Sequence, residues 1–279
     1  MDMVLIGPVV TKFLSFGFVD RNTVFTNALN IFAFDDIGAF SILQSRIHEF
    51  WALRLCSTLE TRTRYNPSDC FETFPFPPDW MSNSALEVAG SKYYEYRATL
   101  MVANNEGLTS TYNRFHDPAE TSSVLLELRR LHGEMDKAVL DAYGWSDVPT
   151  ACGFGLDYLD TEDDAQLPGA LQERIDSGEL FFWDAEDAMA FEAQMRSHEA
   201  INGRKKLPWR YRWPDAVRDD VLARLLALNA ERYAEEVAQG LHGKAGKKAA
   251  PAAAGDGKRR GRPPKAALAT DGQQIGLAL

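Results

Sequence analysis

The sequence predicts an α+β protein: a small mixed α/β unit, a mainly helical region and a disordered basic tail. Three observations predict it. Residues 1–35 alternate like strands and then run into helical spacing. Two long stretches, 84–104 and 120–143, repeat apolar residues every three or four positions. Everything after Gly243 is rich in Ala, Gly, Lys and Pro.

In the first unit, residues 1–80, Val4-Leu5-Ile6, Val9-Val10 and Phe16-Gly17-Phe18-Val19 read as strands. A turn at Asp20-Arg21-Asn22 leads to a further run from Val24 to Phe34, with Leu29, Ile31 and Ala33 on one face. Asp35-Asp36 supplies an N-cap, and Phe40, Leu43, Ile47, Phe50 or Trp51, and Arg54 follow at helical spacing. His48 and Trp51 fall on the buried stripe and read as packing residues. Prolines 75, 77 and 78 close the unit, which begins abruptly in apolar sequence.

Residues 81–242 form the second region. The stretch from Ser84 to Asn104 puts Tyr93, Tyr96, Leu100 and Ala103 on one side, and Gly107 stops it. A connecting loop at 109–118 precedes a helix from about Glu120 to Tyr143, carrying Val124, Leu128, Leu131, Met135, Val139 and Ala142 inward. The pair reads as an antiparallel helical hairpin. Residues 146–183 are irregular and acidic, a short helix is expected at 185–199, and a last one runs from Asp215 to about Gly240. Residues 243–279 are the tail.

The net charge of −10 hides a division: the tail carries +6, residues 1–80 carry −3, and 81–242 carry −13. An acidic surface repels phosphates, so 81–242 is a poor candidate for nucleic-acid contact. Cys56, Cys70 and Cys152 are odd in number and lack CxxC spacing. They read as reduced core residues, neither a disulfide framework nor a zinc site. No apolar run is long enough to span a bilayer and the N-terminus lacks a signal-peptide flank, so a cytoplasmic location without membrane contact is expected.

The order of several blocks is specific. Arg62 and Arg64 precede Phe71-Glu72-Thr73-Phe74-Pro75-Phe76-Pro77. Then come Tyr93-Tyr94-Glu95-Tyr96-Arg97, Gly107-Leu108-Thr109, and Tyr112-Asn113-Arg114-Phe115-His116-Asp117-Pro118. Leu128-Arg129-Arg130-Leu131-His132, Ala142-Tyr143-Gly144-Trp145 and Leu228-Asn229-Ala230-Glu231-Arg232-Tyr233 follow. Over residues 1 to about 238 this order resembles the C-terminal target-recognition and helical region of large adenine-specific (N6) DNA methyltransferases. These are of the fused restriction–modification (type IIG) and BREX-like phage-defence kind. The resemblance implies double-stranded DNA as the ligand and S-adenosylmethionine as the parent enzyme's cofactor. It also implies a methyltransferase catalytic domain or chain as the partner.

The chemistry of methyl transfer finds no match here. A flipped adenine needs an Asn/Asp-Pro-Pro-aromatic loop. Asn66-Pro67-Ser68-Asp69 has a serine and a carboxylate where the second proline and the ring belong, and reads as a structural turn. Gly153-Phe154-Gly155-Leu156-Asp157 is the one glycine-rich candidate for the methyl donor and reads as a loop. No catalytic, cofactor or metal residue is therefore assigned, and a nuclease motif is not evident either.

The candidate DNA-reading residues of the first unit are Lys12, Arg62, Arg64 and Tyr65. An arginine can grip guanine bidentately or hold a phosphate, and a tyrosine can wedge or stack. Equally, Arg62 and Arg64 could pair with Glu60 or Glu72. Lys12 and Arg21 are weaker phosphate candidates. The basic and aromatic segment 204–213 reads as Trp209 and Trp213 anchored in the core, with arginines neutralising nearby acids. In the tail, Lys258, Arg259, Arg260, Gly261, Arg262, Pro263 and Lys265 resemble an AT-hook, whose Gly-Arg-Pro centre lies in a narrow minor groove. A generic cationic tail is the alternative. The leading expectation is the recognition portion of a split or larger methyltransferase. A stand-alone, non-catalytic A·T-preferring DNA-binding protein, or a remnant making only protein contacts, are the others.

Overall fold

The alternating first residues form antiparallel strands in the computed structural model, which describes residues 2–59, 62–162, 166–201 and 206–241. These are β1 (Met3–Pro8), β2 (Val10–Thr11), β3 (Gly17–Asp20) and β4 (Leu29–Phe32). β1 lies between β3 and β4. β4 is shorter than the expected run from Val24, and its faces are reversed. Leu5 stands opposite Phe32, so Phe32 is 4% exposed while Ile31 is 50% exposed. Each face of this strand carries a large apolar residue, Ile31 on one and Phe32 on the other, so alternation alone could not orient it. Edge-on packing of Phe32 against Phe16 at 5.7 Å fixes the choice.

Asp36 caps as expected, accepting the Ala39 N–H at 2.9 Å. The single helix expected next is two, α1 (Ile37–Gln44) and α2 (Arg46–Leu55). The break is at Ser45, whose extended backbone ends the first and caps the second. Its buried hydroxyl donates to Ile42 O at 2.7 Å, a local bond that competes with the helix ladder. The break also turns Arg54 outward, away from the apolar stripe where continuous spacing had put it. His48 and Trp51 are buried, as their spacing required.

β5 (Ser57–Leu59) and β6 (Arg62–Arg64) form a hairpin that β2 joins, giving the order β2-β6-β5. Asn66-Pro67-Ser68-Asp69 opens the short helix α3 (Pro67–Cys70), with proline in its first turn. Phe71, Phe74 and Phe76 pack with Phe32, Phe34 and Trp80.

α4 (Ser84–Asn104) matches its expected span, and α6 (Ser123–Ala142), which packs on it, nearly so. Between them the expected loop is α5 (Leu108–Phe115), whose Tyr112 and Phe115 are core residues. The turn after α5 is held by buried Arg129, which donates to the carbonyls of Phe115, Asp117 and Glu120 at 2.9, 2.9 and 3.1 Å. α4 also packs on α1 with Gly90 at the contact. A Cβ there would lie 3.0 Å from Ile37 O and collide with Ser41 Oγ. Gly90→Ala is therefore expected to destabilise the protein by about 1–3 kcal/mol despite alanine's better helix propensity, as a lowered thermal midpoint would report.

Beyond α6, β7 (Gly153–Leu156), α7 (Gly169–Asp176), β8 (Phe181–Phe182), α8 (Ala185–Ser197) and β9 (Trp209–Arg212) build a small module with its own apolar cluster. Its sheet order is β8-β7-β9. The glycine-rich stretch expected as a loop is the central strand of this sheet. Its glycines are needed for close packing: a Cβ on Gly153 would meet Phe182 O, and one on Gly155 the Arg212 guanidinium at 2.6 Å. Trp209 and Trp213 are buried, and Arg210 and Arg212 pair with Asp157 and Asp215, as expected for that segment.

The last helix is α9 (Asp215–Ala238). From it Asn229 donates to Thr73 O and Arg232 to Phe76 O, each at 2.6 Å, while Tyr143 donates to Pro75 O at 2.8 Å. The Phe-Pro segment is thus strapped down from behind. One apolar core runs from Leu5 to Leu225, across residue 80, within a compact unit Met1–Glu235. Glu236–Leu279 is a second unit, described only over 236–241.

Candidate nucleic-acid interface

β6 is the middle strand of its sheet, and that position presents Arg62 and Arg64. Being two residues apart they share one face, and both are exposed. Arg64 stands between Val10 of β2 and Ser57 of β5, neither of which carries charge. Among the described residues neither arginine has a carboxylate partner. Glu72 does not engage them, and Glu60 lies outside the described residues. This is the arrangement a phosphate or a guanine edge requires, two forks held on a strand with no competing anion among the described residues.

Tyr65 does not join them, which corrects its assignment as a DNA wedge. It is 1% exposed, edge-on to Phe16 and Phe32. Its hydroxyl shares a 2.8 Å hydrogen bond with His48 Nε2. Its backbone N–H donates to Val9 O at 2.8 Å and its carbonyl accepts from Asn30 at 3.2 Å. A ring fixed on so many sides cannot leave to stack on a base. It anchors the residue next to Arg64 instead.

Burial holds the neighbouring His48 imidazole neutral, its pKa pushed down to about 3. His116 is also kept well below the usual histidine value by burial, with Arg210 and Arg46 adding to it. His116 Nδ1 accepts the Tyr211 N–H at 3.0 Å, which fixes the neutral tautomer with its proton on Nε2.

Lys12 follows β2. Its ammonium donates to Asn113 Oδ1 at 3.0 Å and lies 4.8 Å from the Phe13 ring centre. Its pKa is lowered, first by partial burial and then by Arg210, which stacks over the same ring and donates to Lys12 O. The ammonium borders a cleft of about 740 Å³ also lined by Lys206 and Trp209. Arg54, exposed in the last turn of α2 just before β5, is a further cation that periodicity had assigned inward. The irregularity at Ser45 was its only signal. Arg21 is exposed at the turn after β3. Arg204 and Lys205 lie outside the described residues, as do Lys258, Arg259, Arg260, Gly261, Arg262, Pro263 and Lys265 of the tail.

Among the described residues no three His, Cys, Asp or Glu side chains are grouped to hold a metal. No described helix is long and apolar enough to cross a membrane. The Gly153–Gly155 strand does not fit S-adenosylmethionine: the space a backbone–cofactor approach would need is filled by Phe181, Phe182 and Arg212.

Residues 8–78, from the last residue of β1 through β2 to α3, match the family model described as MmeI, target recognition domain. DNA methyltransferase A of Bacillus subtilis (strain 168) is 24% identical over 131 residues, 47% of this chain and 14% of that protein. A solved chain of the type IIL restriction–modification enzyme MmeI, in complex with DNA, is 27% identical with a TM-score of 0.43. That match covers 67% of this chain and 21% of the MmeI chain. The chain thus spans a small fraction of the proteins it resembles. Over residues 8–78 the chain is similar to a target recognition domain.

Proposed function

We propose that this chain is the DNA-reading portion of a site-specific adenine-N6 DNA methyltransferase. The S-adenosylmethionine-binding catalytic domain would lie on another chain or another part of the polypeptide, and the system would serve restriction–modification or phage defence. One observation carries the reading: within the segment matching a target recognition domain, Arg62 and Arg64 stand exposed, on one strand face, without a carboxylate among the described residues. Lys12 and Arg54 add positive charge to the same part of the chain, while the helical region is strongly acidic and suits protein contacts better than phosphates. In this proposal the Gly261-Arg262-Pro263 tail supplies a further A·T-preferring, sequence-tolerant hold on the duplex.

The test is duplex binding by the full chain, alone and with its catalytic partner. Replacing Arg62 or Arg64 by alanine is expected to cost about 1–3 kcal/mol of binding. A base-reading arginine will relax preference at one position of the site. A phosphate-holding one will weaken all sequences alike and reduce the salt slope by about one. Unchanged affinity in the double variant, at low and moderate salt, rejects the reading.

A further inference from the structure

Lys12 joins the arginine-bearing sheet to a cleft that the proposed function leaves unused. β2 pairs with β6 through Val10–Arg64 and Thr11–Thr63, and one step past that ladder Lys12 is next in register with Arg62. Its side chain then borders the cleft of about 740 Å³ that His116, Glu192, Lys206 and Trp209 also line. The acids of that cleft are engaged. Glu192 accepts from Trp209 Nε1 at 2.8 Å and from Arg196 Nε at 3.0 Å. Asp117 accepts the Ala119 N–H at 2.9 Å and lies 3.9 Å from the Lys206 ammonium. Two donors are left over. The Lys12 ammonium, with protons to spare, donates to the neutral Asn113 Oδ1 alone among the described residues. His116 is 8% exposed and its Nδ1 is taken by the Tyr211 N–H, so Nε2 carries the proton, and no described residue accepts it. That nitrogen is unpaired without being sealed in the core, in contrast to His48 Nδ1. The Phe13 ring holds both donors, 4.8 Å from the Lys12 ammonium and stacked at 4.8 Å on His116.

We propose that Lys12 and His116 form a phosphate-binding site, with Lys206 beside it, and that the site holds a backbone phosphate of the duplex that Arg62 and Arg64 engage. The choice of a DNA phosphate rests on the proposed function; the anion site rests on the cleft alone. A phosphodiester brings a negative charge and unprotonated oxygens that only accept. The ammonium answers the charge and gives a charge-assisted hydrogen bond. The imidazole gives a second, directed N–H, and because burial keeps the ring neutral that donor is present at neutral pH without taking up a proton. Burial acts against the Lys12 charge, and Arg210 and Lys206 add to it while Asp157 opposes it. An arriving anion relieves that deficit. Placement ties the anion to the duplex, because Lys12 belongs at once to the cleft wall and to the register of the arginine strand.

The full chain, isotope-labelled in its histidine rings, is titrated with inorganic phosphate at constant ionic strength and neutral pH and followed by NMR. The His116 ring-nitrogen signals are expected to move saturably with phosphate and not with chloride. In Lys12→Gln, a substitution at an exposed position, half-saturation should need at least about tenfold more phosphate, the loss of one charge-assisted hydrogen bond. Signals that stay still, or that respond equally to chloride or in Lys12→Gln, overturn the site, and no DNA enters that result. The second arm measures duplex affinity against salt. Lys12→Gln is expected to weaken all sequences alike and to lower the salt slope by about one. When the backbone is scanned with neutral methylphosphonates, one position should make wild type and Lys12→Gln bind equally. An unchanged slope, or a difference that survives at every position, overturns the duplex as the source; if Arg62 and Arg64 variants still lose binding, the recognition reading stands. A phosphate response in a chain whose arginine variants bind DNA normally keeps the anion site and removes that reading instead.

Discussion

Asp136→Ala is expected to destabilise the protein by about 3–5 kcal/mol, measured as a lowered denaturant midpoint. Asp136 is wholly buried on α6 and faces Arg46, 2% exposed at the start of α2. It accepts the Arg46 backbone N–H at 2.9 Å and the guanidinium at 2.5 Å, while the same guanidinium nitrogen reaches His132 Nδ1 at 2.8 Å. Burial alone would raise the Asp136 carboxyl, but the His132 ring and the Arg46 guanidinium hold it below the usual carboxylate value. Removing it strands an arginine in the core between the Phe115 and Tyr211 rings, where water cannot replace the lost partner. Asp136→Asn keeps the shape but not the charge and should fall in a similar range. Glu134→Ala, two positions away, removes only an exposed pair with Arg130 and should stay within about 0.5 kcal/mol of wild type. Equal effects at 134 and 136 would show that the buried pair does not hold α2 to α6.

Acid should unfold the chain well before its carboxylates titrate. His48 and His116 are neutral in the folded state, with pKa values depressed by burial, whereas the unfolded chain protonates them near pH 6.5. Between the folded and unfolded values the unfolded state binds protons that the folded state does not, so stability rises with pH. Going down, it falls from about pH 6.5, by roughly 1.4 kcal/mol per unit for each histidine. The His48 contribution levels off only near its folded value of about 3. By pH 4 His48 would have removed about 3 kcal/mol, with His116 acting in the same direction, and Asp136, depressed in the folded state, then adds a loss below its ordinary range. Chemical unfolding at pH 7, 6, 5 and 4 reads the slope directly, and His48→Gln should flatten it by about one proton. A flat profile from pH 7 to 5 contradicts the neutral, buried assignment.

Period carried the long elements. α4, α6 and α9 follow from a three-and-four spacing, because amphipathic helices write their burial into the chain. What periodicity could not resolve were elements decided by partners far away in sequence. Phe32 turned inward because Phe16 and Leu5 are there, and Ser45 broke a helix whose apolar spacing continues unbroken. α5 looked like a loop because polar Thr109, Ser110 and Asn113 dominate it, although Tyr112 and Phe115 supply a buried edge. At the interface, Arg62 and Arg64 were legible as exposed cations and Tyr65 was misplaced. Adjacent strand residues face opposite ways, and an aromatic between Arg64 and Asn66 belongs to the core side. Arg129 and Arg97 are buried although charged, each giving its donors to backbone or neutral oxygens, and periodicity carries no sign of it.

The strap on the Phe-Pro segment bears on transplantation. Because Thr73, Pro75 and Phe76 are gripped by Asn229, Tyr143 and Arg232, residues 1–80 excised as a module would shed the partners that close their floor. The portable cassette is the short arginine ribbon, whose exposed side chains can be exchanged on a frame that distant helices keep in place.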